Sequence, residues 1–208
     1  MNKVLQNENC VVYDNIFEEQ QFINIFKYIN NEEYSLPHLD GWKKVWRLTD
    51  GFGYGGKSYY SDQGPYNNYV DTFVNLFTEL AKNHGDLVGK YKNINIRSYL
   101  YPRETKLSWH NDKGYVAAAI FYTHLHWGST WGGELLLAKT PEVEGCPDPS
   151  LNHSFEDKLI NHYGVGQYIT CKPNRLVLTK AGVWHSINRV DKDAGDNVRC
   201  SVVGFYMT

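Results

Sequence analysis

The chain has 208 residues and a formal net charge of −2, enough length for one hydrophobic core with decorations and no basic footprint for nucleic acid. No apolar run approaches the roughly 18 residues that span a bilayer, and the stretch from Met1 to Asn9 is polar, without the apolar centre of a secretory leader. The four cysteines (Cys10, Cys146, Cys171, Cys200) form no CxxC pair, which argues against a zinc knuckle or redox motif and makes a reducing, cytoplasmic setting the expectation.

In chain order, Cys10 to Tyr13 reads as a short strand, and residues 18 to 30 as a helix carrying Phe22, Ile25, Phe26 and Ile29 at helical spacing. Residues 40 to 66, rich in Gly, Tyr and Trp, read as a long ordered loop. A second helix is predicted from about Tyr66 to His84, with Val70, Phe73, Leu76, Phe77 and Leu80 on its apolar stripe and Gly85 as its stop. From residue 91 the pattern changes to eight short β-runs: Asn93–Tyr101, Lys106–His110, Tyr115–His124, Glu134–Ala138, Tyr168–Cys171, Arg175–Thr179, Val183–Val190 and Val198–Tyr206. The expected fold is mainly β: a double-stranded β-helix (jelly roll) core over residues 91–208, with N-terminal helices packed on one sheet. Residues 1–208 are expected to form a single domain, of which 1–90 are helical and loop decoration.

His110-Asn111-Asp112 and the distant His185 are the residues that carry chemistry. Two imidazoles and one carboxylate make a facial triad that leaves the opposite face of a bound Fe(II) open. Spaced by two, His110 and Asp112 share one face of an extended strand, so the third ligand must come from a strand far away in sequence and adjacent in space. Taken singly, His110 reads more readily as a buried core histidine and Asp112 as an exposed turn residue than as ligands; the combination favours ligands. Arg199 and Ser201 likewise share a face of an apolar strand, where a buried guanidinium requires an anionic partner. The distal carboxylate of 2-oxoglutarate is one that an Arg holds bidentately. Arg189, on the same strand face as His185, is the second choice for that anchor. His124 and His126 alternate near a strand end and read as pocket lining or a solvent-facing pair.

Residues 91 to 206 resemble the 2-oxoglutarate/Fe(II)-dependent dioxygenase superfamily, in its prolyl 4-hydroxylase-like branch. Tyr99-Leu100-Tyr101-Pro102 precedes Trp109-His110-Asn111-Asp112. Phe121-Tyr122 leads to Trp127 and then to Gly132-Gly133-Glu134-Leu135. Asn174-Arg175-Leu176-Val177-Leu178 precedes His185-Ser186-Ile187-Asn188-Arg189-Val190. The opening Val11-Val12-Tyr13-Asp14-Asn15-Ile16-Phe17 is also similar to the branch, whereas residues 34 to 65 and 139 to 166 are unmatched. Arg199 follows His185 by fourteen residues, a longer interval than the family usually shows, and the surplus in Asp191–Asn197 reads as a lengthened hairpin.

The resemblance implies Fe(II) on His110, Asp112 and His185, with 2-oxoglutarate and O2 as co-substrates. Arg199, Ser201, Tyr101 and Tyr122 would hold the 2-oxoglutarate, with Tyr99 the alternative for the tyrosine contact and core packing the competing reading for each Tyr. The implied reaction hydroxylates an unactivated C–H and yields succinate and CO2; the carboxylate ligand disfavours halogenation. The expected substrate is a small molecule or peptide: an amino acid, a peptidyl residue or another small metabolite. Trp46, Arg47, Tyr54, His124 and Trp127 are the residues placed nearest to it, and the loops 40–66 and 139–166 are the expected walls or lid. Competing readings are a nucleic-acid demethylase of the same chemistry, which lacks its basic groove here, and a non-catalytic sensor of iron and 2-oxoglutarate. Neither a nucleic-acid nor a membrane partner is expected.

Overall fold

The computed structural model of the protein describes residues 1–37, 48–112, 114–139 and 164–208. Its elements in order are β1 (Asn2–Gln6), β2 (Cys10–Asp14), α1 (Glu19–Asn30), β3 (Tyr54–Gly55), β4 (Tyr59–Tyr60), α2 (Tyr69–Asn83), α3 (Gly85–Val88), β5 (Asn93–Tyr101), β6 (Leu107–His110), β7 (Ala117–Tyr122), β8 (Leu135–Ala138), β9 (Gly166–Ile169), β10 (Arg175–Lys180), β11 (His185–Ile187) and β12 (Arg199–Met207). The larger sheet runs β1-β2-β10-β7-β12-β5-β3, with β4 also on β5, and the smaller runs β6-β11-β8-β9. All the pairings are antiparallel. The jelly-roll expectation therefore holds, and each of the eight β-runs overlaps a strand, least closely at β9, which begins at Gly166 rather than Tyr168 and ends at Ile169.

Alternation along the strands assigns the two faces of the larger sheet. Ile94, Ile96, Ala119, Phe121, Leu176, Leu178, Val202 and Tyr206 point outward and meet Phe22, Ile25 and Ile29 of α1 and Val70, Phe73, Phe77 and Leu80 of α2 in one buried cluster. The helices lie on this face because their apolar stripes recur every three to four residues and have no other surface to cover. Asn68 caps α2, its side chain accepting from Val70 N at 2.9 Å. Gly204 marks the tightest helix–sheet contact, since a Cβ there would lie 2.4 Å from Phe77 Cδ2. The opposite face, with Tyr99, Tyr101, Tyr122, Val177 and Val203, meets Leu107, Leu135 and Leu137 of the smaller sheet.

Three sequence expectations are corrected. Residues 1–90 are more than helical and loop decoration, because β1, β2, β3 and β4 join the larger sheet. Within the expected loop, Tyr54 pairs with Leu100 and Tyr59 with Ile96, so this stretch takes up the free edge of β5. The second helix ends at Asn83 with His84 as its C-cap, close to the expected end, but Gly85 is not a left-handed stop: it opens α3, which buries Leu87 and Val88, and Gly89, at φ 66°, ends that short helix. No helix among the described residues is long and apolar enough to cross a membrane.

Candidate metal centre

His110 ends β6 and His185 begins β11, and the two are directly opposed across the antiparallel pair. Their rings lie 4.2 Å apart between centroids. Asp112 falls past the end of β6, not on the strand as its spacing suggests, in a turn whose carbonyl accepts from Tyr115 N at 2.9 Å. The turn still brings its carboxylate to both imidazoles. Oδ1 lies 3.8 Å from His110 Nε2, and Oδ2 lies 3.5 Å from His185 Nε2. One ligand atom from each residue can be chosen so that all three lie within 4.8 Å of one another.

The donor set fits a divalent metal ion. His110 Nδ1 sits 2.7 Å from Ser108 O, and His185 Nδ1 sits 2.8 Å from Val183 O. Each carbonyl accepts the Nδ1 hydrogen, fixing the tautomer and leaving the Nε2 lone pair for the ion. Burial, then the neighbouring His185, hold the His110 imidazole down at about 4, so it is neutral near pH 7 and available as a ligand.

A buried carboxylate that sequence reasoning missed supports this arrangement. Asp50 accepts from Ser108 Oγ at 2.7 Å and from Ser108 N at 3.3 Å, while Lys106 Nζ lies 3.6 Å away. Ser108 is the residue whose carbonyl orients His110, so Asp50 acts on the ligand through one peptide unit. Asp50→Asn keeps the shape and removes one acceptor. It should weaken metal binding roughly 10- to 100-fold, measured by competition against a chelator of known affinity.

Across the cavity from the triad, Arg199 begins β12. It is 1% exposed, donates from Nε to Gly133 O at 2.8 Å, and packs its guanidinium 4.9 Å from the ring centroids of both Tyr101 and Tyr122. Arg199 Nη1 and the Tyr122 hydroxyl are sealed from solvent, and neither makes a well-formed hydrogen bond among the described residues. A buried guanidinium with a donor to spare fits a carboxylate ligand. Gly133, at φ 75°, lets the chain pass this close, because a Cβ there would lie 2.9 Å from Arg199 Cδ. Tyr99, Tyr101, Leu107, His110, Asp112, His185, Arg199 and Ser201 all line one narrow cavity, so the two halves of the expected site are brought together. Tyr122 lies beneath Arg199 rather than on that wall.

Other expected residues fall elsewhere. Arg189 is exposed and ties down backbone, donating to Thr49 O at 3.1 Å and also to Glu104 O, so it is not the anion anchor. The lengthened hairpin before Arg199 holds a 3-10 turn, Lys192–Ala194, capped by Asp191. Tyr54 is exposed on the edge strand β3, and Trp127, whose Nε1 donates to Gly132 O at 2.9 Å, does not line the cavity. His126 is exposed and packs edge-on against Trp131. Trp46 and Arg47 lie outside the described residues, as does most of the 139–166 insert.

His124, expected as pocket lining, is instead a buried strut behind Arg199. Its Nε2 lies 2.6 Å from Cys171 O, and its Nδ1 accepts from Cys200 N at 3.2 Å. One donor and one acceptor require the neutral ring, and burial drives this imidazole down to about 4. Because the folded value is depressed below the unfolded value, the contribution is intact above about pH 6.5 and is lost as pH falls toward 4, at up to roughly 1.4 kcal/mol per pH unit. Urea unfolding of the metal-free protein at pH 7, 6 and 5 should show this loss, and His124→Gln should remove about half of the slope, His110 supplying the rest.

No protein-family model matches the chain, and no curated protein does. Among solved structures, it is similar to a prolyl-4-hydroxylase from Pseudomonas putida, with a TM-score of 0.65 and 14% identity over 96% of this chain and 92% of that one. A prolyl hydroxylase from Trichoplax adhaerens, solved with a hypoxia inducible factor oxygen degradation domain peptide fragment, gives a TM-score of 0.62 and 12% identity over 97% of this chain and 84% of that one. HygX from Streptomyces hygroscopicus, solved with nickel and 2-oxoglutarate bound, gives a TM-score of 0.62 and 11% identity over 96% and 83%. The chain thus has the fold of the prolyl hydroxylases and related 2-oxoglutarate–Fe(II) oxygenases.

Proposed function

We propose, from that shared fold and the chain's own side chains, that this protein is a 2-oxoglutarate- and Fe(II)-dependent dioxygenase that hydroxylates an unactivated C–H of an amino acid, a peptidyl residue or another small metabolite. The observation that carries the reading is the meeting, in one cavity, of a two-His, one-carboxylate triad and a buried guanidinium with an unused donor. Either feature alone has an ordinary structural explanation; together, facing each other, they match a metal and an elongated diacid.

His110, Asp112 and His185 would hold the iron on one face and leave the other open. Arg199 would take the distal carboxylate of 2-oxoglutarate, with Ser201 beside it and the hydroxyl of Tyr99 or Tyr101 on a carboxylate oxygen. The bound iron, with 2-oxoglutarate and O2, supplies the oxidising chemistry, and succinate and CO2 leave as co-products. The protein's task is to orient the co-substrate, present the target C–H and exclude water. Leu107, Ala118, Ile120, Leu135, Val203 and Phe205 supply the dry walls.

Anaerobic titration with Fe(II) and then 2-oxoglutarate tests this directly. A visible charge-transfer band that appears only with both present, followed on admission of air by succinate formation, is the expected result. If the Fe(II)-loaded protein gives no band with 2-oxoglutarate, the reading fails.

A further inference from the structure

Arg199 stands on an overhang. β7 ends at Tyr122, opposite Ser201, whereas β12 begins two residues earlier, at Arg199. On its β5 side the overhang is paired, Arg199 with Tyr101 and Cys200 with Leu100. On the other side the contact is continued by residues beyond β7: Thr123 N donates to Cys200 O at 3.0 Å, and His124 Nδ1 lies 3.2 Å from Cys200 N. The second ring nitrogen, Nε2, is 2.6 Å from Cys171 O. A carbonyl only accepts, so the ring hydrogen sits on Nε2 and Nδ1 takes the Cys200 N–H. The imidazole thus closes the free side of β12 one residue from the proposed anchor.

The same ring reaches the second point that fixes the guanidinium. Arg199 Nε donates to Gly133 O at 2.8 Å, and the preceding carbonyl, Gly132 O, accepts from Trp127 Nε1 at 2.9 Å and from the Cys171 thiol at 3.6 Å. Trp127 in turn packs on the His124 ring, at 4.8 Å between centroids. A closed circuit results, from Arg199 through Gly133, Gly132, Cys171, His124 and Cys200 back to Arg199. His124 itself is buried and does not line the cavity in which Arg199 faces the triad. We propose that His124 is a positioning residue for the co-substrate: it touches no ligand, and it sets the affinity for 2-oxoglutarate by fixing the strand and the turn between which the Arg199 guanidinium is aimed. The inference rests on the dioxygenase reading above. A planar fork takes a carboxylate bidentately in one orientation, and a binding group of this kind has to be held within roughly 0.5 Å and 10–20° of it. Any two polar groups would satisfy a buried histidine; the two that satisfy this one belong to the segments holding Arg199.

The test uses the protein loaded with Ni(II), so that nothing turns over, and two probes: 2-oxoglutarate, and 2-oxobutyrate, which has the same chelating end and no distal carboxylate. Calorimetric titration of the wild type, His124→Ala and His124→Gln is the readout. Both variants lose the acceptor for Cys200 N, while glutamine keeps a donor for Cys171 O. Each should bind 2-oxoglutarate about tenfold more weakly than the wild type or worse, with the affinities for Ni(II) and 2-oxobutyrate kept within about twofold. A loss confined to the probe with the distal carboxylate is one that a general loosening of the fold would not produce. Unchanged 2-oxoglutarate affinity, or an equal loss for 2-oxobutyrate, would overturn the proposal and leave the dioxygenase reading standing. Variants that no longer hold Ni(II) would also overturn it, because His124 would then be a structural residue. Failure of the wild type itself to bind 2-oxoglutarate with Ni(II) would overturn both.

Discussion

Arg199→Met abolishes 2-oxoglutarate binding and stabilises the ligand-free protein: this pair of opposite effects is expected from the burial of a cation. The guanidinium is 1% exposed, and no carboxylate pairs with it among the described residues. Removing a charged group from water costs several kcal/mol even after relaxation, and one hydrogen bond to Gly133 O with two aromatic faces offsets only part of that. Methionine fills a similar length and adapts to an irregular gap. Urea unfolding of the variant should therefore show a gain of roughly 1–3 kcal/mol. The 2-oxoglutarate carboxylate would meanwhile lose its bidentate partner, worth roughly 2–5 kcal/mol, or about 30-fold to a few thousandfold in affinity. A destabilised variant that still binds 2-oxoglutarate would make Arg199 a structural residue.

His185→Ala should release the metal. The substitution leaves the β11 backbone paired with β6 and β8, so the scaffold persists while one of the three proposed ligands disappears. The loss should exceed the roughly 10- to 100-fold penalty of removing an outer partner such as Asp50. Metal analysis after gel filtration, together with the absence of the charge-transfer band, measures it. A variant that retains stoichiometric iron would place the ion somewhere other than this triad.

Much of the core was legible because alternation is legible. The nine residues of β5 and of β12 write their two faces in plain period-two order, and so the inward positions of Tyr99, Tyr101, Arg199 and Ser201 follow from spacing alone. The rest lacked a local signal. β3 and β4 are two residues each, too short for any periodicity, and form because β5 offers an edge. β1 is polar and mostly exposed, with no buried face to announce it. Asp50 is joined to Ser108 across fifty-eight positions, and nothing in its own neighbourhood marks it. His124 looked like pocket lining because the carbonyl and amide that hold it, on Cys171 and Cys200, are backbone groups that leave no trace in residue identity.

The triad and the proposed anion anchor stand on different sheets. His110 and His185 belong to the four-stranded sheet of β6, β11, β8 and β9, whereas Arg199 and Ser201 belong to the larger one. A diacid gripped by both acts as a bolt between the two halves of the sandwich. Its binding energy is then added to the resistance against their separation, as RT ln(1 + [L]/Kd). If 2-oxoglutarate binds as proposed, the melting temperature rises with its concentration and is lowest when none is present.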